Sequence, residues 1–397
     1  MIAFPILLAA AALAAAAPLS AQISRNTATQ VFVRPGGSYE VGTTDFLWVD
    51  ERRSEQFTKD PTDKRRLLIR VWYPAGSVEG LEPALYIRDP AEFGPASVYR
   101  SVENVKTNSF MRAPLATAEP RYPVLIYHHG AGWSRFTGTF MTEVLASHGY
   151  VVVGVEHPGA SKMLVFPDGV AFRRDTLPAP LPEAQPSDDP RARFKRAREY
   201  TTTFIFSIWL DDSRFVLDKI DELTRGPGIF RDRLDLDRIG MLGWSFGGAT
   251  AIEMARIDAR VKAAVNHDGS LYGGATNRPI ARPFMLLRRG VDEAFADPGS
   301  SGLDVREIAK IMFAYDSAAK ALSGNDWYDL TIGNTRHSSF SDLPLLAHPD
   351  SALAARRGHE IIVAYTLAFF DRYLKGQLSP LLDSASDELP EVIFRRK

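Results

Sequence analysis

Two unbroken apolar runs on either side of a helix-length segment constrain this chain more than any other feature. "YPVLIYHHG" (122–130) and "YVVVGVEHPG" (150–159) each carry a core of consecutive apolar residues and end in glycine. Runs of this kind read as strands buried on both faces, since a half-exposed strand would alternate with polar residues. "FTGTFMTEVLASHG" (136–149) lies between them and reads as a helix with a glycine stop. Strand, helix, strand is a βαβ unit, so the sheet here is expected to be parallel, with helices on both faces.

The same rhythm continues downstream. "TTTFIFSIWLDDSRFVLDKIDELT" (201–224) is a long amphipathic helix, with Trp209, Val216, Ile220 and Leu223 as its buried stripe. Its paired carboxylates, Asp211 and Asp212, read as residues of a solvated helix face. "RIGMLGW" (238–244) is a strand and "FGGATAIEMARI" (246–257) a helix; "VKAAVNHDGS" (261–270) and "PFMLLRRGVDE" (283–293) are strand-to-loop transitions. Leu303–Leu322 suggests another helix. "WYDLTIGNTRH" (327–337) reads as the last strand, and "HEIIVAYTLAFFDRYLKG" (359–376) as the closing helix. Two earlier runs, "GSYEVGTTDFLWVDE" (37–51) and "RRLLIRVWYPA" (65–75), extend the sheet as strands. The expected fold class is α/β, with a doubly wound, mostly parallel sheet and helices on both faces. The domain is expected to span 37–378. Residues 159–198 carry Pro178, Pro180, Pro182, Pro186 and Pro190 and read as an inserted loop or lid. Residues 379–397 read as a tail.

The first 21 residues, "MIAFPILLAAAALAAAAPLSA", are apolar and end in small residues. They read as a cleaved export signal, broken at Pro18 and short for a membrane span, with an uncleaved anchor as the alternative, and are followed by a polar segment, 22–36. The mature protein is therefore expected to be secreted or periplasmic, without stable membrane insertion. With 47 Lys and Arg against 48 Asp and Glu, the formal charge is −1, which argues against nucleic acid as a partner. The chain has no cysteine, which excludes disulfides and a thiol nucleophile.

"GWSFGG" places Ser245 between Gly243 and Gly247. A G-x-S-x-G pattern is common by chance, but here a buried strand precedes it and a helix follows. That is the setting of a nucleophile elbow, in which a strained turn lifts a serine hydroxyl above the sheet. A hydroxyl needs a base, and His337, after the last strand, is the best-placed histidine. The base needs a carboxylate to orient it. Asp268 and Asp292 follow successive strands, and either keeps the chain order Ser, Asp, His. An oxyanion hole needs two N–H donors. Phe246, after the serine, offers one, and Ala131, in the loop "HHGAG" (128–132), offers the other. Gly130, Gly132, Trp133 and Trp244 are candidate pocket residues. Histidines do not fall at ligand spacings on one helix, and neither a metal nor a cofactor is implied.

"YEVGTTDFLW", "IRVWYP", "PVLIYHHGAG", "LASHGYVVVGVEHP", "GWSFGGAT", "HDGS" and "TRHSSFSD" occur in this order from about Tyr39 to Asp342. Together they resemble the platelet-activating factor acetylhydrolase family of α/β hydrolases. In that family the acid lies about two dozen residues beyond the nucleophile; Asp268 lies 23 beyond Ser245. The resemblance therefore implies Asp268 as the acid, with the Phe246 and Ala131 amides as the oxyanion hole. It also implies serine-dependent hydrolysis of a small-molecule ester or lipid, including short-acyl phospholipids. One departure is Trp244, where members of the family often carry histidine. Alternatives are a polyester or general carboxylesterase, a dienelactone-hydrolase-like esterase, and a catalytically inactive fold used for binding.

Overall fold

The computed structural model describes residues 29–93, 102–160, 163–174, 176–178, 189–290, 305–347 and 349–397. The export signal, the middle of the Pro-rich insertion and Asp292 lie outside the described residues.

In chain order the elements are β1 (Thr29–Gln30), β2 (Glu40–Ser54), β3 (Lys64–Ala75), β4 (Pro83–Leu85), β5 (Val105–Met111), β6 (Tyr122–His128), α1 (Thr139–Ser147) and β7 (Val151–Val155). The short strands β8 (Met163–Val165) and β9 (Ala171–Arg173) form a separate hairpin. Then come α2 (Pro190–Tyr200), α3 (Ser207–Arg225), β10 (Leu234–Trp244), α4 (Phe246–Ile257), β11 (Val261–His267) and β12 (Phe284–Arg289). The chain closes with α5 (Val305–Leu322), β13 (Trp327–Ile332), α6 (Leu343–Ala347), α7 (Pro349–Phe370) and β14 (Val392–Arg396).

One large sheet runs β1-β5-β2-β3-β7-β6-β10-β11-β12-β13-β14, with β4 paired to β5. Its centre, from β7 to β13, is parallel. The apolar runs explain why. All seven residues of β6 and all five of β7 are buried. Alternate side chains serve opposite faces. Leu125 and Tyr127 of β6 join a core with α1 and α7. Val124 and Ile126 join a second core with α3 and α4 on the other face. This is the α/β-hydrolase fold.

Sheet order places the site. From β6 the chain moves by α1 to β7 on one side, and later enters β10 on the other side of β6. The order reverses between β6 and β10. In open α/β sheets such a reversal opens a crevice at the carboxyl ends of the strands, where ligands bind. The loop from His128 and the turn at Ser245 leave the sheet at that point.

Three local features differ from the sequence reading. The insertion is partly regular, because it contains the β8–β9 hairpin and α2, which joins α3 through a π-helical turn, Thr201–Phe206. Residues 379–397 end in β14, antiparallel to β13. Val392 and Phe394 turn inward there, and Phe394 packs on Tyr328 and Tyr365. Asp212 is fully buried, not solvated. Among the described residues, no helix is long and apolar enough to cross a membrane.

Five histidines, His128, His129, His157, His267 and His359, are buried. Burial pushes His129, His157 and His359 down to about 4 and His267 to about 3, and holds His128 well below its ordinary value. Folding therefore selects their neutral forms. Between about pH 6.5 and 4 the unfolded chain binds the extra protons, so stability falls as pH drops through that window. Burial raises Glu143 and Asp342 to about 7, which acts in the opposite sense. Glu92, Glu156 and Asp316 are also raised by burial, but the ordinary carboxylate value lies at the acid end of this window, whereas the unfolded histidines take up protons from its start, so the histidines set the direction. The thermal midpoint is expected to fall by several degrees from pH 7 to pH 5, read by calorimetry; a midpoint that rises would contradict this balance.

Candidate active site

Ser245 caps α4 with φ 57° and ψ −119°, a strained conformation for a residue with a Cβ. Its N–H donates to the His267 carbonyl at 2.8 Å, which holds the turn against the next strand. Crowding explains the flanking glycines. A Cβ at Gly247 would lie 2.2 Å from the His128 carbonyl oxygen, and one at Gly243 would lie 2.4 Å from the Gly247 carbonyl carbon. The start of α4 thus packs directly on the end of β6. Phe246 is the first residue of α4, so its N–H is one of those a helix leaves without an internal acceptor.

On the other side of the crevice, the loop after β6 turns at Gly130–Trp133, where the Trp133 N–H donates to the Gly130 carbonyl at 3.1 Å. Gly132 takes φ 85°, which favours glycine, and Ala131 is buried. A Cβ at Gly130 would meet the Trp244 indole at 2.8 Å. Trp133 is half-buried and packs on Trp244.

Asp268, just past β11, is a second strained residue, with φ 55°. Its N–H donates to the Leu287 carbonyl at 2.8 Å, which fixes it between β11 and β12. Its Oδ2 lies 2.6 Å from His337 Nδ1. A carboxylate oxygen can only accept, so Nδ1 carries the proton and Nε2 is left as the basic nitrogen. Burial pushes the Asp268 carboxyl up, but the His337 hydrogen bond and the nearby charges of His337 and Arg289 outweigh it and hold the group below its ordinary value.

Several ties set the position of His337. It opens a short 3₁₀ turn, His337–Phe340. The Trp244 indole N–H donates to its carbonyl at 2.9 Å. Trp244 is 1% exposed. Among the described contacts it therefore holds the histidine loop from beneath the elbow, and its ring is not an open wall of the crevice. Asp342, at the end of that loop, accepts the N–H groups of Thr139 and Phe140 at 2.9 Å each, which ties the loop to the start of α1.

The geometry therefore brings Ser245, Phe246, Ala131, Asp268, His337 and Trp244 to one end of the sheet. Sequence reading missed two supports. Arg289, at the end of β12, donates through its guanidinium to Asp268 Oδ2 at 2.6 Å and through its backbone N–H to Oδ1 at 3.2 Å. Near the root of the loop after β6 lies a buried polar cluster. Asp212 accepts from Arg65, Arg53 and His157, and His157 Nε2 lies 3.1 Å from His128 Nδ1. Trp209 stacks on His157 at 3.8 Å and meets Phe246 edge-on at 4.9 Å.

The family "Platelet-activating factor acetylhydrolase, isoform II" matches residues 25–170. A probable 1-alkyl-2-acetylglycerophosphocholine esterase of Arthroderma benhamiae is 25% identical over 291 residues, covering 68% of this chain and 66% of the relative. A platelet-activating factor acetylhydrolase of Canis lupus familiaris is 28% identical over 328 residues, covering 77% of this chain and 67% of the relative. The chain thus matches about two thirds of the length of these curated relatives. A ferulic acid esterase from Streptomyces cinnamoneus superposes with a TM-score of 0.67 at 29% identity, covering 93% of this chain and 99% of that one. The proteins that the chain matches are thus named as ester hydrolases, and the superposition with the esterase agrees with the α/β-hydrolase fold.

Proposed function

We propose that this α/β hydrolase cleaves carboxylic esters through an acyl-enzyme on Ser245, with His337 as base and Asp268 as the acid behind it. The observation that carries this reading is the 2.6 Å contact between His337 Nδ1 and Asp268 Oδ2 beside a strained serine at the head of α4. His337 Nε2 takes the Ser245 proton as Oγ adds to the ester carbonyl. The N–H groups of Phe246 and Ala131 hold the oxyanion. The tetrahedral intermediate collapses, and His337 returns the proton to the leaving alcohol. Water then attacks the acyl-enzyme, with the same histidine as base. Asp268 keeps the imidazole in the required tautomer and stabilises its cation.

The proposed substrates are short-acyl lipid esters, in line with the relatives' names, and the proposed location is outside the cytoplasm, after removal of residues 1–21. A second reading is a carboxylesterase for bulkier acyl groups. It is favoured by the nearly full-length match to the ferulic acid esterase, against two-thirds matches to the lipid enzymes. A fluorophosphonate probe is expected to label the folded protein at Ser245. Nitrophenyl esters of graded length, an acetylated phospholipid and a feruloyl ester then rank the two readings by kcat/KM. Absence of labelling would overturn both in favour of a binding protein.

A further inference from the structure

Asp268 Oδ2 receives two short charged or polar donors at once: His337 Nδ1 and the Arg289 guanidinium, each at 2.6 Å. Asp268 and Arg289 side chains are 9% and 11% exposed, so water does little to screen this pair. The acid behind the histidine is thus already half of an ion pair. We propose that Arg289 is a positioning residue that sets the working pH of the esterase by limiting how strongly Asp268 stabilises the His337 cation.

The argument rests on the reading of His337 as the base. An isolated carboxylate beside Nδ1 favours the imidazolium and raises the pH at which the histidine gives up its proton. A guanidinium on the same oxygen opposes that charge and repels the imidazolium. It therefore weakens the hold of the carboxylate on the imidazolium, since both donors share Oδ2. Arg289 also fixes the carboxylate plane, because its backbone N–H holds Oδ1 while its side chain holds Oδ2. In strand β12 the neighbouring Arg288 turns the other way, to Asp316 and Asp329.

Among the described residues, several ionisable groups on the elements around His337 are neutral or have other partners. His267 lies before Asp268 on β11, 3.0 Å from the Thr366 hydroxyl on α7, and is neutral. His359 on α7 is 3.1 Å from the Ser341 carbonyl and is neutral. Asp342 is bound to the α1 amides, and Arg336 precedes His337 on the exposed side of its turn. The β10–α4 turn contributes Trp244 and Ser245, which carry no charge. Arg289 is the cation in direct contact with the acid.

The test is the pH profile of kcat/KM on nitrophenyl acetate for wild type, Arg289→Met and Arg289→Lys. In Arg289→Met the acid limb is expected to move up by about one pH unit. Arg289→Lys keeps the charge, and its limb is expected to stay near that of wild type while kcat falls. Should Arg289→Met fail to fold, Arg289→Gln removes the charge and keeps a polar side chain. An acid limb that does not move in a folded, neutral variant overturns the inference, whatever happens to stability or kcat. Loss of fluorophosphonate labelling in wild type would instead overturn the esterase reading, so the two failures are distinguishable.

Discussion

Ser245→Ala is expected to lower kcat/KM on nitrophenyl acetate by about 10⁴- to 10⁶-fold and to abolish fluorophosphonate labelling, with little change in fold. The size follows from the chemistry. In the proposed mechanism no acyl-enzyme forms without Oγ, and what survives is the help that the proposed oxyanion donors, the Phe246 and Ala131 amides, give to direct attack by water. The same logic predicts non-additivity. His337→Ala alone is expected to cost about as much, and the double variant little more, because neither residue works without the other. Asp268→Asn removes the charge that backs the imidazolium and is expected to cost roughly 10⁴-fold. Asp292→Asn is expected to stay near wild type, and this separates the two acids that the sequence leaves open. Near-wild-type turnover in Ser245→Ala sinks the acyl-enzyme outright. A large loss in Asp292→Asn beside a small one in Asp268→Asn would reassign the acid.

The legible parts of this molecule are those whose signal is local. β6 and β7 stand out because a strand buried on both faces must be apolar throughout. The Ser245 turn stands out because Gly243 and Gly247 are each crowded by backbone that a Cβ would strike. The parts that stay hidden depend on pairings across long separations. Nothing local in "LLRRG" tells which arginine turns to Asp268 and which to Asp316 and Asp329. β14 is five residues long, two of them arginines, and becomes a strand only beside β13. Asp212 is intermediate: it lies three residues after Trp209 and four before Val216, on the buried stripe of the helix that the apolar residues already define. Its helical phase was readable, but a carboxylate on that stripe makes sense only with Arg65, 147 residues away in sequence.

That burial makes Asp212→Ala the largest expected change in stability, about 3–5 kcal/mol by denaturant unfolding. The figure does not measure what the ion pair contributes. A buried pair often contributes little beyond an apolar pair of the same shape, since each ion gives up its hydration. Deleting one partner is different, because the charges left behind remain buried. Arg65 is 2% exposed and would keep only Glu55 and the Pro158 carbonyl; His157 Nδ1 would lose its acceptor. Burial pushes the Asp212 carboxyl up, yet the Arg65 charge and the His157 and Arg65 hydrogen bonds hold it far below its ordinary value, so it stays ionised at any working pH. Asp212→Asn retains one acceptor and the shape, and is expected to fall between wild type and alanine. Activity should fall with stability in a distinctive way. His157 contacts His128 at the root of the loop proposed to supply an oxyanion donor, and Trp209 bridges His157 to Phe246, the other proposed donor. A shift there moves donors that act on the transition state, so kcat is expected to fall about tenfold with KM nearly constant. An Asp212→Ala protein that unfolds within about 0.5 kcal/mol of wild type would mean that water reaches this cluster, and that the oxyanion loop is held from elsewhere.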